Sequence, residues 1–421
     1  MKKLILTAAA CAAIVAEALT VTDVTARQRW PWNNLVDVDF TINGVSGEAY
    51  YIDISATAAG GEKKLCATSF ETEPIAATGR NRVVWNLGAD YPNFKADDLR
   101  VTVTATPFSD STPLYLVVDI SGGTAAAKWP VRYTTAAPVH TAGVADPCKT
   151  TELWLKRVKA GSGTDGNGNG GAYSNEGYYK AHGYILTNDY YLGVFALTQA
   201  QCMNICDATY SKFTNETYRA TRPVDSVHPK WLRRPYFDSS EPDAELTSSS
   251  VQGGFIMYNL RDKTGMKFDL PTEWQWVHAC KAGGTDIHYG ATTSDIRYAD
   301  NSSPADGDAN YSTANQGDWP AEYGTSYVDA YAPNPWGFYG MLGNVWECCL
   351  NKNSKGSIEK DVTYTDPMGP SGNDRMRARR GGAWNATWAT SVSYYYFAQD
   401  PDTASNVDWK SGARICLTIG K

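Results

Sequence analysis

Five short runs between residues 35 and 121 constrain this chain more than any other feature: "LVDVDFTI", "EAYYIDISAT", "NRVVWNL", "LRVTVTAT" and "LYLVVDIS". Each is rich in β-branched and aromatic residues and shows partial alternation, and clusters of Gly, Pro, Asn and Asp separate them. Helical periodicity is absent from this part. The spacing predicts a β-sandwich of about a hundred residues, placed at residues 19–140. No site chemistry is visible in it, so a spacer or adhesion module is expected.

The residues before it read as a targeting segment. Lys2 and Lys3 precede the apolar run "LILTAAACAAIVA" and the Ala16-Glu17-Ala18 end. That pattern predicts a secretory signal peptide, residues 1–18, cleaved after Ala18. Cys11 as a lipid-attachment cysteine is the alternative, but the run before it is short and Ala8 stands where a larger aliphatic is usual. No later segment has 18 apolar residues in a row, so no further membrane span is expected. The expected location is the exterior or the cell envelope. Charged residues make up 20% of the chain and the formal net charge is −7, which argues against a nucleic-acid partner. Aromatics reach 12%, a level that suits secreted binding proteins, because Trp and Tyr join an apolar face to a polar tip.

Beyond the signal segment stand Cys66, Cys148, Cys202, Cys206, Cys280, Cys348, Cys349 and Cys416. An even number in an oxidising compartment predicts some disulfides, with connectivity open. No C-x-x-C occurs, and the His residues form no H-x-x-x-H pair, which speaks against zinc.

An Ala/Pro/Thr-rich stretch, "TTAAPVHTAGVADP" (134–147), leads through a linker at 141–149 to a second domain at 150–421. Its grammar differs: short strands, long loops and two well-marked helix starts. In "ALTQAQCMNICDA", Thr198 caps a helix while Gln201 reaches back; in "DLPTEWQWVHACKAGG", Thr272 and Gln275 repeat the device and Gly283-Gly284 closes the helix. Trp274, Val277, Ala279 and Cys280 are spaced for core packing.

Six ordered motifs carry a resemblance. "YYLGVFALTQAQ" (190–201), "RPVDSV" (222–227), "LPTEWQWVHACKAGG" (270–284), "NPWGFYGMLGNVWE" (334–347), "RRGGAW" (379–384) and "SGARICL" (411–417) resemble, in order, the motifs of formylglycine-generating enzymes, also called sulfatase-modifying factors. The resemblance implies an α+β, C-type-lectin-like domain with few regular elements, preceded by the all-β sandwich. The sandwich itself is similar, more distantly, to modules that precede such domains in secreted bacterial proteins. The family's oxidases convert a sulfatase cysteine to formylglycine with two cysteines shortly after the Arg-Gly-Gly turn, which hold Cu(I) and engage the substrate thiol. Soft thiolates suit both tasks. By position these fall at Ala386 and Ser391, so copper is not expected. Related iron enzymes use a His-rich helical domain that this chain lacks.

The resemblance also implies calcium. In the "GNVWE" loop the ligands would be the carbonyls of Gly343 and Val345 and the side chain of Glu347, while the family's Asn ligand falls at Gly340. A second family site would use Asn310 and the Tyr311 carbonyl in "DANY" (308–311). Hard oxygen donors suit this ion. Separately, "DGNGNGGAYSNE" (165–176) matches the spacing of an EF-hand calcium loop, with Asp165, Asn167, Asn169 and Glu176 as ligands and Gly170 at the turn. Only two of those ligands are charged and the preceding segment reads as a strand, so a flexible surface loop is the alternative.

The segment "RRGGAWNATWATSVSYYYFAQD" (379–400) contains no Cys or His. Trp384, Asn385, Trp388, Ser391, Tyr394, Tyr395 and Tyr396, with Arg380, form a mixture of aromatic anchors and polar groups that binding surfaces favour. The leading expectation is therefore a secreted non-oxidase that binds an extracellular protein or glycan through this face. Ordinary core packing is the alternative for each aromatic. The competing classes are a divergent enzyme at the same site, with Arg379, Arg380 and Arg414 holding an anionic substrate, and a structural surface protein. No G-x-S-x-G elbow, P-loop or dinucleotide motif occurs.

Overall fold

The alternation in the first runs translates directly into sheets with one buried face. A computed structural model describes residues 19–29, 33–109, 111–166, 180–209, 211–214, 217–227, 229–233, 256–286, 288–292, 294–298, 324–352, 358–369, 377–386, 396–399 and 410–419. The chain divides into two compact units, Met1–Thr112 and Pro113–Lys421.

The first unit carries β1 (Thr20–Gln28), β2 (Leu35–Asn43), β3 (Ala49–Ala58), β4 (Lys63–Cys66), β5 (Ile75–Ala77), β6 (Gly79–Asn86), the single turn α1 (Leu87–Asp90) and β7 (Arg100–Phe108). One sheet runs β1-β2-β6; the other joins β4, β3 and β5, with β7 also on β3. On β2 the residues Val36, Val38, Phe40 and Ile42 are buried, and on β3 Ile52 and Ile54 are. Their neighbours Asp39 and Asp53 point outward, as a period of two requires. Trp85 is fully buried and donates its indole N–H to Asp90 at 2.7 Å, which satisfies the polar end of a large apolar side chain.

The second unit begins earlier than residue 150. It holds β8 (Tyr115–Asp119), β9 (Val131–Thr134), α2 (Pro147–Thr150), β10 (Glu152–Val158), β11 (Gly161–Asp165), β12 (His182–Leu186) and β13 (Tyr190–Gly193). Next come the helices α3 (Gln199–Cys206), α4 (Pro229–Leu232), α5 (Ile256–Thr264) and α6 (Glu273–Lys281). The chain then adds β14 (Trp346–Lys352), β15 (Thr363–Thr365), β16 (Arg377–Arg380), β17 (Tyr396–Gln399), β18 (Ser411–Gly412) and β19 (Cys416–Thr418). Three sheets result: β19-β13-β10-β8-β9, β17-β16-β14-β18 and β11-β12-β15. This is an α+β arrangement with few regular elements for its length.

The domain boundary expected at residue 140 is corrected to the Thr112/Pro113 junction. "LYLVVDIS" forms β8, which pairs with β10 in the middle of the five-stranded sheet, Leu116 opposite Leu155. Its residues Tyr115 to Val118 are all buried. A strand covered on both faces reads as a continuous apolar run instead of an alternating one, and that distinguishes it from "LVDVDFTI". The stretch 141–149 is likewise no free linker. Lys149 is fully buried with its ammonium 2.6 Å from Asp329, which also meets His140 at 2.9 Å and accepts the Gly143 N–H at 3.1 Å.

Both capping boxes form as expected. Thr198 accepts the Gln201 N–H at 3.1 Å while its own N–H reaches Gln201 Oε1 at 3.0 Å; Thr272 and Gln275 do the same at 3.1 and 2.9 Å. The second helix closes one residue sooner than expected, with Ala282 in the left-handed region before Gly283 continues the turn. Trp274, Val277, Ala279 and Cys280 are fully buried, in a core with Tyr190, Leu192, Phe338 and Met341.

The boundary has a direct consequence. A fragment starting at Pro113 is expected to unfold in one cooperative thermal transition. A fragment starting at residue 150 lacks both β8 and β9, which leaves one edge of β10 unpaired, and circular dichroism should show no such transition.

Candidate functional site

The Arg-Gly-Gly turn that ends β16 is held by charges that never reach water. Arg377, Arg379 and Arg380 are all buried, as is Arg414 just before β19. Arg380 donates through Nε to Glu273 at 2.9 Å and through Nη2 to Asp165 at 2.8 Å, and all three side chains are enclosed. Arg379 reaches the Ser411 hydroxyl. Arg414 grips both oxygens of Glu347, at 2.7 Å from Nη2 and 2.9 Å from Nε. Its remaining N–H groups go to the carbonyls of Gly193 at 2.8 Å, Val194 at 3.0 Å and Tyr339 at 2.7 Å. The Trp276 indole donates to Glu347 Oε2 at 2.6 Å. A planar guanidinium has enough donors for all these acceptors, and Lys would not replace it.

Two glycine turns lock together above this network. Gly381 (φ 97°) packs so closely that a Cβ there would lie 2.7 Å from the Met341 carbonyl, and at Gly343 (φ 74°) a Cβ would lie 2.1 Å from that of Arg297. The Gly343 N–H donates to the Gly381 carbonyl at 2.6 Å, and the Trp384 N–H to the Asn344 carbonyl at 2.8 Å. Asn344 in turn bonds Ser326 through both ends of its amide, at 2.9 and 3.2 Å.

This geometry corrects several expectations. Trp384 is fully buried, with its ring edge-to-face on Phe213 at 5.2 Å, so it is a core residue and not a surface anchor. Arg380 is fully buried and neutralised by Glu273 and Asp165, which leaves it no charge to offer a ligand. Glu347 is 1% exposed and its two oxygens accept from Arg414 and Trp276. A calcium ion there would compete with an arginine already in place. Asp165 is also 1% exposed and accepts from Arg380 at 2.8 Å. Gly343 and Val345 lie on the turn before β14, and Asn385 and Ala386 are half-buried. Tyr396 lies on β17 opposite Arg380 in register. Trp388, Ser391, Tyr394, Tyr395, Asn310, Tyr311, Asn167, Asn169 and Glu176 fall outside the described residues. Among the described residues, no three His, Cys, Asp or Glu side chains converge as metal ligands. The eight cysteines described are all free thiols, against the expectation of disulfides.

Residues not singled out from the sequence complete the arrangement. Asp225, in "RPVDSV", accepts the Lys212 N–H at 2.7 Å and the Ser226 hydroxyl at 2.8 Å, and its backbone N–H donates to the Ser211 hydroxyl oxygen at 3.1 Å. This carboxyl therefore holds the loop that presents Phe213 to Trp384. Burial pushes the Asp225 carboxyl up to about 6, although the N–H groups of Lys212 and Phe213 and the Ser226 hydroxyl oppose the shift. Beneath Phe213, burial and the neighbouring Arg297 pull the Arg222 guanidinium down to about 10. The one sequence signal for Asp225 was its place in the ordered motif.

The model of the sulfatase-modifying factor enzyme 1-like domain matches residues 157–418. The formylglycine-generating enzyme of Bos taurus is 28% identical over 163 residues, which cover 36% of this chain and 40% of that protein. The enzyme of the same name from Thermomonospora curvata is 40% identical over 63 residues, covering 14% and 20%. The chain thus matches well under half the length of these relatives. Among solved structures, Treponema denticola variable protein 1 aligns with a TM-score of 0.43 at 19% identity, covering 67% of this chain and 99% of its own.

Asp225 supplies a test of the site's foundation. Its folded pKa lies above the ordinary 3.8, so its contribution to stability is full below about pH 4 and is lost as pH rises through about 6. Two pH units correspond to about 3 kcal/mol. Urea unfolding of wild type and Asp225→Asn should therefore converge in acid and diverge by about that amount in the variant's favour at pH 7.

Proposed function

Because the chain belongs to the sulfatase-modifying factor family, we propose that its second unit uses that family's C-type-lectin-like fold to bind a ligand and not to oxidise one. The observation that carries this reading is the make-up of the signature turn. Its arginines and Trp384 are committed to the interior, and burial first eases at Asn385 and Ala386, which are half-buried. Ala386 stands where the resemblance puts the first copper thiolate, and Ser391 where it puts the second. Neither side chain is a soft donor. The remaining thiols nearby are enclosed: Cys348 and Cys349 are fully buried, and burial pushes the thiol of Cys349 well up. A thiol held neutral is a poor nucleophile and a poor metal ligand.

The same facts weigh against the divergent-enzyme reading. An anionic substrate needs an accessible cation, and Arg379, Arg380 and Arg414 are each at most 1% exposed. Long loops on a braced core are suited to recognition, because they vary without unfolding the frame. We take the ligand to be an extracellular protein or glycan, in keeping with the signal-peptide reading of residues 1–18. Its contacts would come from Asn385, Trp388, Ser391 and the tyrosines at 394–396. The calcium reading rests on Asn310, Tyr311 and the carbonyls of Gly343 and Val345, with no free carboxylate from Glu347.

A sulfatase peptide containing the substrate cysteine, incubated with the protein, Cu(I) and oxygen, should keep its thiol. Formation of the aldehyde, read by mass spectrometry, would overturn the proposal. In a glycan and protein panel scored by thermal shift, Asn385→Ala and Trp388→Ala should abolish the shift of any hit while leaving the unliganded Tm within a few degrees.

A further inference from the structure

Helix α3 ends in a C-x-x-x-C pair that the signature motifs do not use. Cys202 is fully buried, and Cys206, the last helical residue, is half-buried. Their sulfurs lie 3.6 Å apart, in contact across one helical turn. Cys206 Sγ also sits 3.2 Å from the Cys202 carbonyl and 3.6 Å from that of Ala208. Immediately after it, Asp207 turns left-handed (φ 54°) and donates its N–H to the Met203 carbonyl, which ends the helix.

We propose that Cys202 and Cys206 form an exchangeable dithiol that closes to a disulfide when it meets a disulfide of the glutathione type. The two positions divide the labour. The half-buried Cys206 is reachable from solvent, so its thiolate attacks one sulfur of the oxidant, forming a mixed disulfide and releasing one glutathione thiol. Cys202, whose thiol is held neutral in the reduced pair by the Cys206 contact and by burial, is already in place; once Cys206 is blocked it loses its proton as it attacks Cys206 Sγ, forming the intrachain bond and releasing the second thiol. Two protein thiols lose two protons and two electrons in all; one glutathione disulfide takes up both the electrons and the protons and becomes two glutathione thiols.

Helix geometry explains why the bond is absent in the reduced chain and attainable on oxidation. Residues four apart on a helix hold their Cβ atoms about 5–6 Å apart, whereas a disulfide needs about 3.5–4.5 Å. The turn must tighten, and a helix yields most easily at its end. Among the described residues, helix α3 does not continue past its cap at Asp207. The loop closed is only one turn long, so the bond adds little by restricting the unfolded chain. That makes it a reversible modification and not a structural staple.

The test uses the whole chain, reduced, freed of reductant and incubated with glutathione disulfide, then acid-quenched, denatured, alkylated and digested with trypsin. The peptide 181–212 contains both cysteines and no internal Lys or Arg before Lys212. It should appear two hydrogens lighter and unalkylated, and dithiothreitol should restore both alkylations. Cys202→Ser should instead retain glutathione on Cys206. The exposed Cys66 reports that the oxidant was active. If Cys66 carries glutathione while Cys202 and Cys206 both remain alkylatable, the proposal fails. A wild-type Cys206 that keeps its glutathione, unresolved by Cys202, also overturns it.

Discussion

The buried pair between Arg414 and Glu347 is the contact on which the rest of the second unit depends. It joins the approach to β19, the start of β14 and, through the carbonyls of Gly193, Val194 and Tyr339, the end of β13 and a neighbouring loop. An ion pair so enclosed gains little net stability over well-packed apolar residues, because both charges forfeit their hydration. Removing one partner is another matter, since it strands the other charge and costs about 3–5 kcal/mol. The pair therefore acts mainly to hold these segments in one arrangement. Arg380 with Glu273 and Asp165 repeats the principle between β16, the first turn of α6 and the end of β11.

With those charges spent internally, the signature turn is a frame. Gly381 and Gly343 let two backbone turns approach where any side chain would collide. Trp384 seals the underside against Phe213, which Asp225 holds in place through the backbone of its loop. The stretch that follows Trp384 in sequence, residues 385–399, carries no thiol.

The features legible in the sequence were the local ones. Each Thr-x-x-Gln capping box is decided within four residues, and both formed. The alternation of "LVDVDFTI" and "EAYYIDISAT" told which face of each strand is buried. The ordered motifs gave the family and its α+β character. The failures were long-range. Asp165 fits a calcium-loop spacing, yet its partner Arg380 lies 215 residues on. Glu347 looked available because its partner Arg414 is 67 residues away. "LYLVVDIS" follows the strands before it at the same spacing, yet its unbroken apolar character marks a strand covered on both faces. Aromatic composition marked Trp384 as notable without telling on which side of the turn it lies.

The most direct measurement is a double-mutant cycle of Glu347→Leu and Arg414→Met, read by chemical denaturation together with calcium titration. Each single variant should lose several kcal/mol, and the double variant should recover a large part of that loss, with calcium affinity unchanged throughout. Additive losses, or a Glu347 variant that keeps wild-type stability but loses calcium binding, would contradict the assignment of this carboxylate to the frame.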